Sequence, residues 1–139
     1  MYTGDETYND ETAMALAFQG GSDKNYFPQN QTFDEGNDDQ AFWAMAALTA
    51  AEMKFEPPPK TTVNSGLSWI GLAQAVFEQQ YEAIDNATCG GGLRWAKSFS
   101  GTGWDQKTSI TNFGFANVAA RLGESQSLGS WVVPFKPHC

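Results

Sequence analysis

Two adjacent acids, Asp38 and Asp39, open an apolar segment and are the residues of this chain best suited to acid–base chemistry. No charged residue follows from position 40 to position 51, so the pattern predicts a helix buried on nearly every side. Two carboxylates at the mouth of a buried helix could line a pocket. Glycoside hydrolysis uses such a pair, one as proton donor and the other as nucleophile or base. Simple capping fits the same residues, with Asn37 as N-cap and acids in the first turn.

A glycine-rich segment, residues 90–92, indicates a second candidate region. Its three glycines let the backbone approach a ligand closely, and Arg94 and Trp95 offer hydrogen-bond donors and a stacking face. A glycine run is also common in loops that bind nothing, so that interpretation stays open. The acids of residues 34–39 match no EF-hand spacing, and we predict no metal site and no cofactor.

Composition excludes some partner classes. The 139 residues suit one domain or part of a larger one, and 16 acidic against 8 basic residues give a net charge of -8. This charge disfavours nucleic acid and anionic membranes as partners. The aromatic content of 14% favours a ligand that stacks, such as a sugar, although most aromatic residues will be core.

Targeting features are few. No stretch approaches the ~20 apolar residues of a membrane span, and residues 1–10 are too polar for a secretory signal. Two sequons, at Asn30 and Asn86, predict glycosylation if the chain enters the secretory route. Cys89 and Cys139 are the only cysteines, and whether they pair stays open.

Four helices and no strand are predicted. They cover about residues 11–18 after Asp5, 38–55 before a proline run, 67–84 and 107–122. The third is amphipathic, with Leu67, Ala73, Phe77 and Tyr81 on its apolar face. A helix buried all round, followed by one with a wet face, is typical of an α/α barrel or solenoid. No further helix is predicted after position 122.

Several blocks resemble glycoside hydrolase family 76, the α-1,6-mannanases. Residues 36–43, Gly-Asn-Asp-Asp-Gln-Ala-Phe-Trp, resemble its Asp-Asp signature, and residues 89–95 resemble its Cys-Gly-Gly-Gly-Leu-Arg-Trp loop. Further similar blocks, in the same order as in the family, are residues 2–5 with 8–10, 72–77, 107–112 and 119–122. The resemblance covers about residues 1–122.

The resemblance implies an all-α fold, part of an (α/α)6 barrel with about four of twelve helices. It implies a partial catalytic domain over residues 1–122 and an unrelated tail over 123–139. Its members cleave α-1,6-mannosidic bonds with retention, which assigns Asp38 as nucleophile and Asp39 as general acid/base. The sugar contacts that we predict are Asn37, Arg94, Trp95 and Asn112.

The family also implies a partner and a location. The partner is an α-1,6-linked mannose oligosaccharide, mannan or an anchor glycan, in carbohydrate catabolism or cell-wall biogenesis. The location is secreted, at the cell wall or at the cell surface, although we expect no signal peptide in this chain. The family commonly pairs its loop cysteine with a second cysteine where this chain has Gly114. Two alternatives stay open: a catalytically silent fragment that binds glycan, and a helical interaction module.

Overall fold

The computed structural model describes residues 6–28, 30, 35–56, 66 and 68–127. In this part of the chain, the helices are α1 (Asn9–Gln19), α2 (Asn37–Glu52), α3 (Trp69–Glu82) and α4 (Ser109–Ser127). These same residues contain no strand, only an isolated antiparallel bridge between Gly36 and Ala96. The prediction of an all-α fold with four helices is confirmed.

Helix α2 is central, packing against α3, α4 and α1. Small residues recur along its buried face, so neighbouring helices approach closely: Ala41, Ala44, Ala47 and Ala50. The expectation of burial on nearly every side is wrong, because Phe42 is 54% exposed. Among the described residues, nothing covers this side of α2.

The buried face of α3 is rotated from the predicted one. Tyr81 is 48% exposed, whereas the fully buried Gln80 contacts α2. Sequence periodicity missed this face because it assigns glutamine to the wet side, whereas here the buried Gln80 Nε2 donates two hydrogen bonds to residues of α2. The residues of α3 that are buried are Trp69, Leu72, Ala73, Val76 and Gln80.

Helix α4 crosses α2 closely at Gly114. A Cβ at that position would lie 3.1 Å from the Ala41 Cβ. Arg121 ties the helices together through Glu52, with Nε 2.8 Å from Oε1. Not all of α4 is covered by the described residues, since Phe113 is 74% exposed.

Helix α1 begins at Asn9, two residues before the predicted start, and Asp5 lies outside the described residues. Helix α4 continues to Ser127. The proposed boundary between residues 122 and 123 stays a prediction, and residues 128–139, with Cys139, lie outside the described part. In the described part of the chain, none of the helices combines the length and apolarity that crossing a membrane requires.

Candidate active site

The acid pair lies in the first turn of α2, just after Gly36. Gly36 is the N-cap, with extended backbone angles (φ −86°, ψ 168°). Its N–H donates to Asp39 Oδ2 at 2.8 Å, so Asp39 does cap this helix. The prediction of Asn37 as N-cap is wrong. Asn37 is already helical, and its Nδ2 donates to the Arg94 carbonyl at 2.8 Å.

The structure joins the acid-pair turn to the glycine-rich segment. Gly36 pairs with Ala96 in the antiparallel bridge, and the Asn37 N–H donates to the Trp95 carbonyl at 2.9 Å. We call residues 35–40 together with residues 95–97 the junction. The two candidate regions of the sequence are therefore one site.

Asp38 is held by a tryptophan. Trp95 Nε1 donates to Asp38 Oδ2 at 3.0 Å, while Asp38 Oδ1 is buried without a hydrogen-bond partner among the described residues. A Cβ at Gly36 would overlap Asp38 Oδ1 and lie 3.2 Å from Asp39 Oδ2. The two carboxylates thus pack against the same side of Gly36, an arrangement that only a residue without a side chain allows.

Buried amides connect this turn to α3. Gln80 Nε2 donates to the Asn37 carbonyl at 2.7 Å and to Gln40 Oε1 at 3.0 Å. Gln40 Nε2 in turn donates to the Asn25 carbonyl at 2.6 Å. Because Gln40 and Gln80 are both fully buried, moving this turn would break hydrogen bonds that water cannot replace.

A second glycine seats the Trp95 ring. Gly103 has a positive φ of 83°, and a Cβ there would overlap the six-membered ring of Trp95. The backbone N–H of Trp95 also donates to the Gln106 carbonyl at 2.8 Å. The loop after Trp95 therefore folds back and fixes the orientation of the indole toward Asp38.

Arg94 belongs to a separate cluster, which we call the loop hub: Asp85, Thr88, Arg94 and Lys107. Arg94 Nη2 lies 2.6 Å from Asp85 Oδ2, and Lys107 Nζ lies 3.3 Å from the same oxygen. Hydrogen bonds from the Thr88 hydroxyl and the Ala87 N–H, then the Lys107 ammonium, hold the pKa of Asp85 far below its usual range.

Two of the residues predicted to contact sugar, Arg94 and Asn112, already form hydrogen bonds within the chain. Arg94 Nη1 donates to the Trp104 carbonyl at 2.9 Å, and its guanidinium lies 5.0 Å from the centroid of that ring. Asn112 Oδ1 accepts the Leu93 N–H at 2.8 Å, and Nδ2 donates to the Leu93 and Thr108 carbonyls. Sugar contacts by Arg94 and Asn112 stay predictions, and both side chains already position the loop.

Sequence reasoning missed a buried acid, Glu35, and a partly buried base, Lys97, beside the pair. Glu35 is 9% exposed, and burial raises its pKa to about 7, with the Lys97 charge lowering it and that of Asp39 raising it. Burial lowers the pKa of Lys97 to about 8, against the Glu35 charge, and its Nζ lies 4.6 Å from the Phe27 ring centroid. Only the pairing of distant segments brings them together, so no local pattern could have identified them.

A cleft of about 240 Å³ adjoins the junction and is bounded by Phe27, Asn37, Gln79, Ala83, Arg94, Ala96, Lys97 and Trp104. Asp38 and Asp39 are not among its lining residues. No group of three potential metal-ligating side chains gathers anywhere in the described part.

The predicted modification sites lie at the surface. Asn30 and Asn86 are both exposed, although residues 31 and 32 of the first sequon are outside the described part. Cys89 is exposed in a turn with a positive φ of 52°, and Cys139 is undescribed. Glycosylation of the two asparagines stays a prediction.

Comparison with known proteins identifies the relatives of this chain. The sequence model of glycosyl hydrolase family 76 matches residues 1–130. The mannan endo-1,6-alpha-mannosidase DCW1 of Saccharomyces cerevisiae is 45% identical over 121 residues, covering 87% of this chain and 26% of that protein. The mannan endo-1,6-alpha-mannosidase DFG5 of the same organism is 38% identical over 118 residues, covering 85% of this chain and 25% of that protein.

A solved structure agrees in fold. The crystal structure of Dfg5 from Chaetomium thermophilum, in complex with glucosamine, superposes with a TM-score of 0.79 at 41% identity. The match covers 87% of this chain and 29% of that one. The chain thus spans about a quarter of the length of these curated relatives, and its helices form part of an α/α barrel. It belongs to glycosyl hydrolase family 76.

Proposed function

We propose that this chain carries the acid-pair region of a mannan endo-1,6-α-mannosidase, a retaining glycoside hydrolase. Its substrate would be an α-1,6-linked mannose oligosaccharide, mannan or the mannose of an anchor glycan. Membership of the family and the names of the relatives support this class of reaction. Because the chain spans about a quarter of those relatives, the complete activity is part of the proposal.

One observation carries the proposal: the carboxylates of Asp38 and Asp39 flank the same space beside Gly36. Retaining glycosidases need their carboxyl groups only about 5–5.5 Å apart, so that one can bond to the sugar while the other protonates the leaving group. Inverting enzymes need a wider gap of about 6.5–9.5 Å to admit water between the two groups. The shared position beside a single glycine favours the close arrangement.

We assign the two roles from the contacts that each carboxylate makes. Trp95 fixes Asp38 Oδ2, and Asp38 Oδ1, with no protein partner among the described residues, is the atom we assign to attack the anomeric carbon. As that bond forms and the glycosidic bond breaks, the exposed Asp39 gives its proton to the leaving oxygen. Water then attacks the anomeric carbon, returns a proton to Asp39 and frees Asp38.

Of the predicted sugar contacts, Trp95 is the best placed, because its indole lies against Asp38. The Asn37 Nδ2 donates to the Arg94 carbonyl, and the Asn37 Oδ1 has no hydrogen-bond partner among the described residues. For Arg94 and Asn112, a direct sugar contact would have to compete with the protein partners that they already have.

The test is hydrolysis of α-1,6-mannotetraose by the 139-residue chain, with proton NMR recording the anomeric configuration of the first product. We expect retention, and a loss of at least about a thousandfold in Asp38→Asn with an unchanged circular dichroism spectrum. Asp105→Asn, an exposed acid on the loop, is the matched control and should keep full activity. Undiminished cleavage by Asp38→Asn would refute the assignment.

A second candidate function is glycan binding without turnover. The observation in its favour is that the Dfg5 relative was solved in complex with glucosamine, a free sugar. Calorimetry with the same tetraose separates the candidates. Affinity that Asp39→Ala leaves unchanged, without cleavage by the wild type, would support the binding module. Absence of both binding and cleavage would leave the helical interaction module.

We further propose a secreted or cell-surface location, in keeping with a mannan substrate, and glycans on Asn30 and Asn86. Both asparagines are exposed, as an acceptor must be. Expression in a eukaryotic secretory host should give a chain that loses mass on endoglycosidase treatment. Asn86→Gln and Asn30→Gln should each remove one step of that shift, and no shift in the wild type would contradict the proposal.

A further inference from the structure

The cleft beside the junction is separate from the acid pair, since neither Asp38 nor Asp39 lines it. Its volume of about 240 Å³ is below the ~300–1,000 Å³ of sites for drug-sized ligands, so it suits a molecule of about one sugar ring. The lining combines carbon surface with polar groups, which come from Asn37, Gln79, Arg94 and Lys97. The kind of ligand that fits depends on which of these polar groups are still uncommitted.

The side-chain acceptors of the lining are already used or closed off. Gln79 Oε1 accepts a hydrogen bond from Gln40 Nε2. Asn37 Oδ1 has no partner among the described residues, but it is out of contact with solvent. The side chains of Arg94 and Lys97 carry no acceptor. The lining therefore favours a ligand that accepts hydrogen bonds over one that donates them.

Two side-chain donors of the same lining are uncommitted among the described residues. The Lys97 ammonium forms no hydrogen bond or ion pair with them and rests 4.6 Å from the centroid of the Phe27 ring. Gln79 Nε2 also donates to none of them, because this amide is engaged only through its oxygen. Burial lowers the pKa of Lys97 to about 8 even against the Glu35 charge, so its positive charge is incompletely compensated.

The charged residues that line the cleft are both basic, Arg94 and Lys97. Arg94 is bound to Asp85, and the Lys107 ammonium lies 3.3 Å from the same carboxylate, so Asp85 has more than one positive charge beside it. Glu35 acts on Lys97 but does not line the cleft. In a chain with a net charge of -8, which repels anions in general, this cleft is locally suited to them.

We propose that the cleft is a binding site for a small anionic ligand, one ring in size, that carries a phosphate or carboxylate group. The acidic oxygens would accept hydrogen bonds from Lys97 Nζ and Gln79 Nε2. The ring would pack on the carbon surface that Phe27, Ala83 and Trp104 contribute. Because the acid pair lies outside the cleft, this binding does not depend on the proposed cleavage reaction.

The test is isothermal titration calorimetry of the full 139-residue chain with mannose 6-phosphate and with glucuronate, at pH 6.5, where Lys97 is charged. Mannose lacks the acidic group and inorganic phosphate lacks the ring, so they are the matched probes. We expect an anionic sugar to bind with a dissociation constant of about 1 mM or tighter, and at least about tenfold more tightly than either matched probe. The tighter of the two sugars identifies the acidic group as phosphate or carboxylate.

Three variants locate the site. Lys97→Met keeps an unbranched side chain but removes the ammonium, and it should weaken binding at least about tenfold without lowering the melting temperature. Ala83→Leu adds bulk at an exposed lining position with both donors in place, and it should also weaken binding. Lys54→Met is the control for loss of a positive charge, because Lys54 is exposed beyond the opposite end of α2, and it should bind as the wild type does.

The wild type alone can overturn the proposal, by binding neither anionic sugar or by binding them no more tightly than mannose. Equal affinity in Lys97→Met and the wild type would also overturn it. None of these measurements uses the cleavage of mannotetraose. A failure here is therefore distinguishable from a failure of the proposed function.

Discussion

The junction and the loop hub share one loop but treat their polar groups differently. In the hub, both Asp85 oxygens accept hydrogen bonds, and Lys107 donates to two backbone carbonyls as well. In the junction, Glu35, Asn37 and Asp38 all have buried side-chain oxygens without partners among the described residues. Two adjacent residues divide between the regions: the Arg94 side chain contacts the hub, and the Trp95 side chain contacts the junction.

This difference separates a scaffold from the proposed site. A buried polar atom without a partner costs about 1–3 kcal/mol, so a fold retains one mainly where a ligand, a water molecule or chemistry uses it. The hub has satisfied its charges internally and holds the loop in place. The junction keeps buried acceptor atoms without partners among the described residues beside the acid pair.

The largest expected effect comes from Gly103→Ala, which would break the link between the two regions. The positive φ disfavours alanine, and the added Cβ would overlap the Trp95 ring, so we expect a loss of about 2–4 kcal/mol in unfolding free energy. Urea denaturation measures it. Gly90→Ala is the matched control, since it shares a positive φ but meets no atom within 4 Å. Equal losses in both variants would show that the Trp95 contact is unimportant.

Next in size is Trp95→Phe, which removes the hydrogen bond to Asp38 while keeping a ring against Gly103. Because the acceptor is charged and partly buried, we expect a loss of about 1–3 kcal/mol in stability, and a fall of about 10–100-fold in any turnover. Phe99→Leu, at an exposed ring of the same loop, is the control and should leave turnover unchanged. Equal turnover in Trp95→Phe and the wild type would contradict a role for the indole in positioning Asp38.

Much of the fold was predictable from local sequence. The uncharged run after Asp39 predicts α2, and the glycine and proline positions limit the helices to within a few residues. The face of α3 was not predictable in this way. Gln80 is buried only because Asn37 and Gln40, on another helix, accept its hydrogen bonds.

The candidate site divides in the same way. Residue types and family resemblance made Asp38, Asp39 and Trp95 candidates, but they did not predict that the two segments are joined across 57 positions in sequence. In the sequence, nothing distinguishes Glu35 from the other acids of residues 34–39. Its burial follows from the bridge between Gly36 and Ala96, a tertiary contact that no local pattern encodes.

The two regions should depend on pH in opposite directions. The pKa of Asp85 is lower in the folded than in the unfolded chain, so the stability it contributes is present above about pH 4 and is lost as the pH falls further. The pKa of Glu35 is raised to about 7, so the folded chain binds the extra proton, and stability is lost as the pH rises from about 4.5 to 7.

Thermal melts of single variants across pH 2–8 separate these contributions. Asp85→Asn should flatten the acid limb of the melting temperature and leave the neutral limb as it is. Glu35→Gln should do the reverse, removing a loss of about 1–2 kcal/mol, after allowance for solvent screening. If both variants altered the same limb, the separation between hub and junction would be wrong.

The smallest effect is expected from Arg94→Lys, which tests whether the hub is only a scaffold. Lysine keeps the charge beside Asp85 but loses the planar fork that also reaches the Trp104 carbonyl and stacks on its ring. We expect a loss of about 0.5–1 kcal/mol in unfolding free energy. If Arg94 only positions the loop, its affinity for the mannotetraose should not change. A weakened affinity at unchanged stability would instead restore Arg94 as a sugar contact and extend the site into the hub.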